Sequence, residues 1–234
     1  MSEGTIIITG GSRGIGREIV LEMTRRGYDM VCLSRSGDAP AGTGYVCDMT
    51  DEARVKQVFA EIAAKGPVAG LINCAGIHVG GPSDALDTAE YDRVMALNAT
   101  SVMVACREIY PHLKASKGAI VNIGSFFDKM GVVGNLAYCA SKAAVGAITR
   151  CLAVEWASDE ITVMNVAPGY IETDLNRDYL AKPKVRDWMR NRIPVQRPGT
   201  AHEVARLVGT IFSEKIAFMT GETIYIDGGQ GMNH

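Results

Sequence analysis

Short runs rich in β-branched and aliphatic residues alternate, from one end of the chain to the other, with stretches whose apolar positions recur every three or four residues. Thr5–Thr9 reads as a strand, and Gly14–Arg26 as an amphipathic helix with Ile15, Ile19 and Met23 on one face. Further strands are expected at Asp29–Leu33, Gly44–Val46, Gly70–Asn73, 119–124, Ile161–Ala167 and Thr223–Asp227. Helical periodicity covers about 51–64, 92–116, 136–157 and 201–213. Repeated strand–helix–strand units require a parallel sheet with helices on both faces, so the expected fold class is α/β, doubly wound. No Pro/Ser-rich linker, repeat or low-complexity tract interrupts the pattern, which points to one domain over 1–234. The stretch 174–198 departs from it. It is rich in Arg, Asp and Lys, holds Pro183, Pro194 and Pro198, and carries Leu175, Tyr179, Trp188 and Met189. It reads either as a flap over a site or as a solvated helix pair.

Composition narrows the partners. Hydrophobic content of 47% and charged content of 21% are ordinary for a globular domain, and 234 residues bury a sizeable core. A net charge of −2 gives no broad basic field, which argues against a nucleic-acid partner. No apolar run reaches membrane-spanning length, so no membrane association is expected. The first strand begins by Thr5, leaving no room for a cleaved leader, and the expected location is cytoplasmic. Six cysteines at 32, 47, 74, 106, 139 and 151 form no CxxC pair, and the histidines at 78, 112, 202 and 234 lack ligand spacing. Packed, reduced thiols and no metal site are the expectation. His78 is the histidine nearest the candidate chemistry, with a loop or substrate-contact role.

That chemistry lies at Tyr138 and Lys142. A spacing of four puts the phenol and the ammonium on one helix face. A fixed cation about 5 Å from a phenol, at an effective dielectric of about 20, acidifies it by roughly two pKa units. A phenol so tuned, with the hydroxyl of Ser125 thirteen residues earlier, suits proton transfer in carbonyl/alcohol hydride chemistry. Tyr110 and Lys114 repeat the spacing, but Leu97 stands where the first pair has Ser125, and Pro111 interrupts the local backbone pattern. Tyr110 is therefore read as a helix-face residue.

A second motif, Thr9-Gly10-Gly11-Ser12-Arg13-Gly14-Ile15-Gly16, occupies the turn from the first strand into the first helix. Glycines there admit a pyrophosphate to the exposed N–H groups of the helix start. A site for NAD would place a carboxylate at the end of the second strand; Leu33-Ser34-Arg35-Ser36 stands there instead. Arg35 with Arg13 suits a 2′-phosphate, each charge-assisted bond contributing about 1.5–3 kcal/mol, so NADP(H) is favoured. Asp38, deeper in the following loop, is the competing ribose ligand.

Together these residues resemble the short-chain dehydrogenase/reductase family over nearly the whole chain. The resemblance rests on the 9–16 turn, Asp48, Asn73-Cys74-Ala75-Gly76, Asn98, Ser125, the Tyr138/Lys142 pair, Pro168-Gly169-Tyr170-Ile171-Glu172-Thr173 and Asp227-Gly228-Gly229. It implies a single Rossmann-type domain, with a cofactor part over about 1–124 and a catalytic and substrate part over about 125–234. By resemblance, the catalytic set is Asn98, Ser125, Tyr138 and Lys142. Asn98 would distort its helix and hold a relay water, Ser125 would bind the substrate oxygen and Tyr138 would transfer the proton. The cofactor would meet Gly10, Ser12, Arg13 and Ile15 at the turn, with Arg35 beyond it. Asp48 and Met49 would hold the adenine. Asn73, Ala75 and Gly76 would line the central portion, and Tyr138 and Lys142 the nicotinamide ribose. Pro168, Gly169, Ile171 and Thr173 would meet the carboxamide end. Cys74 departs from the asparagine common in its motif, and only about nine residues separate the second and third strands, too few for a helix.

Pro168–Leu175 is most similar to β-ketoacyl-ACP reductases. The implied function is NADPH-dependent reduction of a ketone to a secondary alcohol, the substrate being a 3-oxoacyl thioester of acyl-carrier protein or coenzyme A. Arg177, Lys114 and Lys117 are the candidates for docking a carrier protein. The alternative is a dehydrogenase of free, cyclic or apolar ketones, for which Phe126, Phe127, Met130 and Val133 would form an apolar wall or else simple core. A non-catalytic NADP(H)-sensing protein is the remote alternative. The resemblance also implies a homotetramer, packed through helices 92–116 and 136–157 and through the last strand.

Overall fold

The computed structural model describes residues 4–233. Seven parallel strands form one sheet: β1 (Thr5–Thr9), β2 (Asp29–Ser34), β3 (Thr43–Val46), β4 (Val68–Asn73), β5 (Ala119–Ile123), β6 (Thr162–Pro168) and β9 (Thr223–Ile226), in the order β3-β2-β1-β4-β5-β6-β9. β1 pairs Ile7 with Val31 on one side and with Leu71 on the other. Such strands are covered on both faces, which is why Ile6, Ile7 and Ile8 are all fully buried rather than alternating. One face is packed by α1 (Gly14–Arg25) and α8 (Ala201–Glu214), through Ile19, Val20 and Met23 against Val204 and Val208. The other carries α2 (Glu52–Ala63), α4 (Ser101–Ser116) and α5 (Leu136–Trp156), through Val58, Phe59, Ile109 and Val145.

The chain runs outward from β1 to β3, then returns to place β4 on the other side of β1. That reversal opens a crevice at the carboxyl ends of β1 and β4, where ligands bind in open sheets of this type. The doubly wound α/β fold and its strand pattern agree with expectation, with strand ends shifted by one or two residues. The link from β2 to β3 holds no helix. One element differs from the sequence reading. The helix expected over 92–116 is three pieces: α3 (Thr88–Met95), a π-turn at Ala96–Thr100, and α4. The π-turn holds one extra residue and falls at Asn98, where the resemblance implied a distorted helix. The stretch 174–198 contains α6 (Arg177–Leu180) and α7 (Pro183–Arg192). It is tethered by a two-stranded sheet of β7 (Ile171–Glu172) and β8 (Gly199–Thr200). Leu180, Met189 and Ile193 form a small core of their own beneath it, with Tyr170 and Val185 packed alongside. Among the described residues no helix is long and apolar enough to cross a membrane.

Candidate active site

Ser125 follows β5 and is only 6% exposed; it accepts a hydrogen bond from the Phe127 N–H at 3.3 Å, which opens a tight turn over Phe126–Asp128. Its hydroxyl also hydrogen-bonds the phenol of Tyr138, near the start of α5. One turn on, Lys142 is buried, donates to the Ile123 carbonyl at 2.8 Å and holds its Nζ 5.7 Å from the centre of the Tyr138 ring. The buried Asn98 sits in the π-turn. Its Oδ1 accepts from Ile77 N at 2.8 Å, and its Nδ2 donates to the Ile77 carbonyl at 2.8 Å and to Ser141 Oγ at 3.1 Å. Asn98 thus fastens the loop after β4 to the helix bearing the Tyr/Lys pair. The four residues grouped by sequence meet at one place.

The electrostatics correct one expectation. Burial pushes the Tyr138 phenol up, and the bond with Ser125 pulls it only partly back down. Burial pushes the Lys142 ammonium down to about 8. The helical spacing places the cation beside the ring as predicted, but the ammonium turns toward Ile123 rather than toward the hydroxyl. Desolvation of both groups outweighs their mutual effect. Cys74, which faces this site, is pushed up to about 11 by burial and is a poor nucleophile.

From Ser125 and Tyr138 a cleft of about 1010 Å³ runs to the end of β2. It lies at the upper end of the range of about 300–1,000 Å³ for ligand pockets. Gly10, Ser12, Arg13 and Ile15 line it at the first turn; Arg35, Asp48 and Met49 at the far end; Ala75 and Gly76 at the centre; and Pro168, Gly169 and Thr173 opposite. Gly10 has φ +71°, and a Cβ there would lie 2.8 Å from Ala75 backbone atoms, so only glycine lets the turn close. The first turn of α1 has no acidic residue to compete with an anion at its N-terminus. Asp48 is held by Thr50, through its N–H at 2.9 Å and its hydroxyl at 2.8 Å. Those two bonds, and then the charge of Arg35, keep its carboxyl below the usual range. These donors and the size of the cleft fit a nicotinamide dinucleotide, and at the far end Asp38 lines the cleft together with Arg35 and Asp48.

Two expected residues stand apart. Asn73 is buried beneath the cleft rather than lining it, its Nδ2 donating to Asn122 Oδ1 at 2.9 Å while Asn122 donates to Thr149 Oγ1 at 2.9 Å. The side chain of Ile171 is in the core against Gly199 and leaves the cleft wall to Thr173. Both lie on strands, where alternation sends a side chain away from the site of its neighbours. Phe126 and Phe127 are likewise buried outside the cleft lining and pack as core, whereas Met130 is half-buried and Val133 fully exposed.

Other residues were not singled out as ligands. Thr9 Oγ1 accepts from both Cys74 N and Ala75 N at 3.1 Å and so shapes the central wall; its signal is a hydroxyl at the last position of a buried strand. Leu175, the first apolar residue of the stretch 174–198, lines the cleft and lies over Gly14. His78 also lines the cleft; its ring meets that of Tyr138 edge to face at 4.8 Å, and its Nε2 bonds Asn135 Oδ1 at 2.5 Å. The proposed docking cations are paired: Arg177 with Glu172 at 3.2 Å, Lys114 with Asp159 at 2.8 Å, and Lys117 with Glu160.

The family model described as Enoyl-(Acyl carrier protein) reductase matches residues 10–231. The chain is 34% identical to the 3-oxoacyl-acyl-carrier-protein reductase of Escherichia coli, over 98% of each protein. It is 33% identical to the glucose 1-dehydrogenase of Gluconobacter oxydans, over 96% of this chain and 90% of that one. Among solved structures it resembles the gluconate 5-dehydrogenase of Burkholderia cenocepacia in complex with NADP and tartrate. There the TM-score is 0.92 at 28% identity, covering 100% of this chain and 97% of the other. Sequence, sheet order and the gathered Ser125/Tyr138/Lys142 set agree: the chain belongs to the short-chain dehydrogenase/reductase family of oxidoreductases, which act between CH–OH and C=O.

Proposed function

We propose that this protein reduces a 3-oxoacyl thioester to the secondary alcohol with NADPH. The observation that carries the cofactor assignment is that Arg13 and Arg35 both line the cleft that holds Ser125 and Tyr138. NADPH, when bound, supplies hydride to the carbonyl carbon. Ser125 Oγ and the Tyr138 hydroxyl then meet the oxygen as its negative charge grows, donors fixed in advance by the turn after β5 and by α5. Tyr138 delivers the proton to that oxygen. Lys142 holds the ribose side of the site, and the π-turn at Asn98 is where a relay water would return the proton. The proposed assembly is a homotetramer acting in the cytoplasm, built through α4, α5 and the edge strand β9; a monomeric mass in solution would overturn it.

The test is turnover of an acetoacetyl thioester with NADPH and with NADH, in wild type and Arg35→Asp. The wild type is expected to prefer NADPH by at least tenfold, and the variant to lose that preference, because its carboxylate repels the phosphate and accepts ribose hydroxyls. Equal use of NADH by the wild type would remove the cofactor assignment. Reduction of cyclic ketones with no thioester activity would move the substrate to free ketones.

A further inference from the structure

The stretch 174–198 carries a charge that the catalytic site does not use. Residues 177–192 hold six Lys/Arg and two Asp in a chain of net charge −2. In α7, Lys184, Trp188 and Arg192 recur every four residues and therefore share one face. All three are exposed, and among the described residues neither Lys184 nor Arg192 has an acidic partner. An exposed tryptophan between two unpaired cations is well suited to a purine carrying phosphate groups.

This face is connected to the reacting centre. The Trp188 ring meets Tyr170 edge to face at 5.3 Å, Tyr170 meets Phe127 at 6.3 Å, and Phe127 meets Tyr138 at 5.9 Å. By these contacts Trp188 lies at about the reach of a pantetheine arm from Tyr138, roughly 15 Å when extended by the length of about four residues of chain.

We infer that the Lys184/Trp188/Arg192 face of α7 is a subsite for the nucleotide handle of a coenzyme A thioester, Trp188 stacking on the adenine while the two cations meet its phosphates. The inference rests on the proposed reduction of a 3-oxoacyl thioester and names the carrier of that acyl group. It also separates these cations from Arg177, Lys114 and Lys117, whose charges are already balanced by carboxylates.

The experiment compares acetoacetyl-CoA with acetoacetyl-N-acetylcysteamine, which has the same reacting ketone but no nucleotide. In the wild type, kcat/KM is expected to be at least tenfold higher for the CoA ester. Trp188→Ala and the double variant Lys184→Glu/Arg192→Glu should bring it down to the level of the short ester, while leaving turnover of the short ester unchanged. Equal values for the two esters in the wild type, or an equal fall for both in the variants, would overturn the subsite. So would a carrier-protein ester that is used better than the CoA ester and is equally sensitive to the variants. If neither ester is reduced, the functional reading fails separately, and calorimetry with CoA on NADPH-saturated protein decides the subsite. Binding that weakens tenfold or more in the charge-reversal variant supports it; no binding to the wild type defeats it.

Discussion

Two Tyr/Lys pairs with identical spacing stand on neighbouring helices and have opposite fates. Tyr110 donates to Asp159 at 2.6 Å, and Lys114 reaches the same carboxylate at 2.8 Å and the phenol at 3.5 Å. The bond to Asp159, and then that to Tyr110, pushes the Lys114 ammonium up, and the lysine is half in water. Lys142 donates to a backbone carbonyl, is 6% exposed, and is pushed down to about 8. Spacing fixes which groups share a helix face; the acid opposite and the water around them fix what the pair can do. A compensated pair at a surface is a strut. An uncompensated cation under a phenol is held ready for a ligand.

The comparison is broken most directly by removing each hydroxyl. Tyr138→Phe keeps the ring and its contact with His78, so the fold and NADPH binding should survive while kcat falls by roughly 10²–10⁴-fold. Tyr110→Phe should leave kcat within about twofold. Steady-state kinetics on the two purified variants reads both, and near-normal turnover by folded Tyr138→Phe would abolish the distinction.

The lysines sharpen it through stability. Lys142 is charged at pH 7 at a cost of about 3 kcal/mol relative to an exposed lysine, from its shift down to about 8 and 1.36 kcal/mol per unit. Lys142→Met removes that cost and strands the Ile123 carbonyl, a loss of about 1–3 kcal/mol that only partly offsets it. Cofactor-free Lys142→Met is therefore expected to melt ~3 °C above the wild type at pH 7, using about 2–4 °C per kcal/mol, while losing activity. The unfolded chain binds the extra proton between about pH 8 and 10.5, so the wild type gains stability as pH rises through that window and the gap closes. Lys114→Met should instead lower the Tm slightly. A calorimetric series in pH that shows Lys142→Met less stable at neutrality would mean the ammonium is satisfied in the native protein.

Much of this was legible beforehand, for physical reasons that also mark the limits. Strands buried on both faces and helices with one apolar stripe announce themselves by period, and so the sheet and its crevice followed. Gly10, Arg13 and Ser125 fall at the cleft because turns and strand ends fix where side chains go, and Tyr138 and Lys142 because a spacing of four puts them on one helix face. Asn73 and Ile171 were misplaced because a motif says that a segment passes the site without saying which way each side chain alternates. The role of Asn98 was assigned from resemblance, and its actual bonds to Ile77 and Ser141 depend on a loop and a helix that only the fold brings together. The direction of the Tyr138 shift was misjudged because burial depth, which outweighs a cation at this distance, cannot be read from spacing.

The smallest expected effect lies at the strut itself. Lys114, and then Tyr110, hold the Asp159 carboxyl below its usual range. A carboxylate depressed in the folded state adds stability that is present above the unfolded pKa near 3.9 and is lost as pH falls through the lower folded value. Tyr110→Phe should therefore lower the Tm by a degree or two at pH 7, and the difference should fade in acid below about pH 4. Asp159→Asn should lower it further, since both Tyr110 and Lys114 lose their partner. The ring of Tyr110 stays packed on Trp156 at 4.8 Å in either variant, so a larger loss would point to packing rather than to the carboxylate. A Tm difference that persists unchanged into acid would show that the triad is not electrostatic, and the contrast with Lys142 would then rest on burial alone.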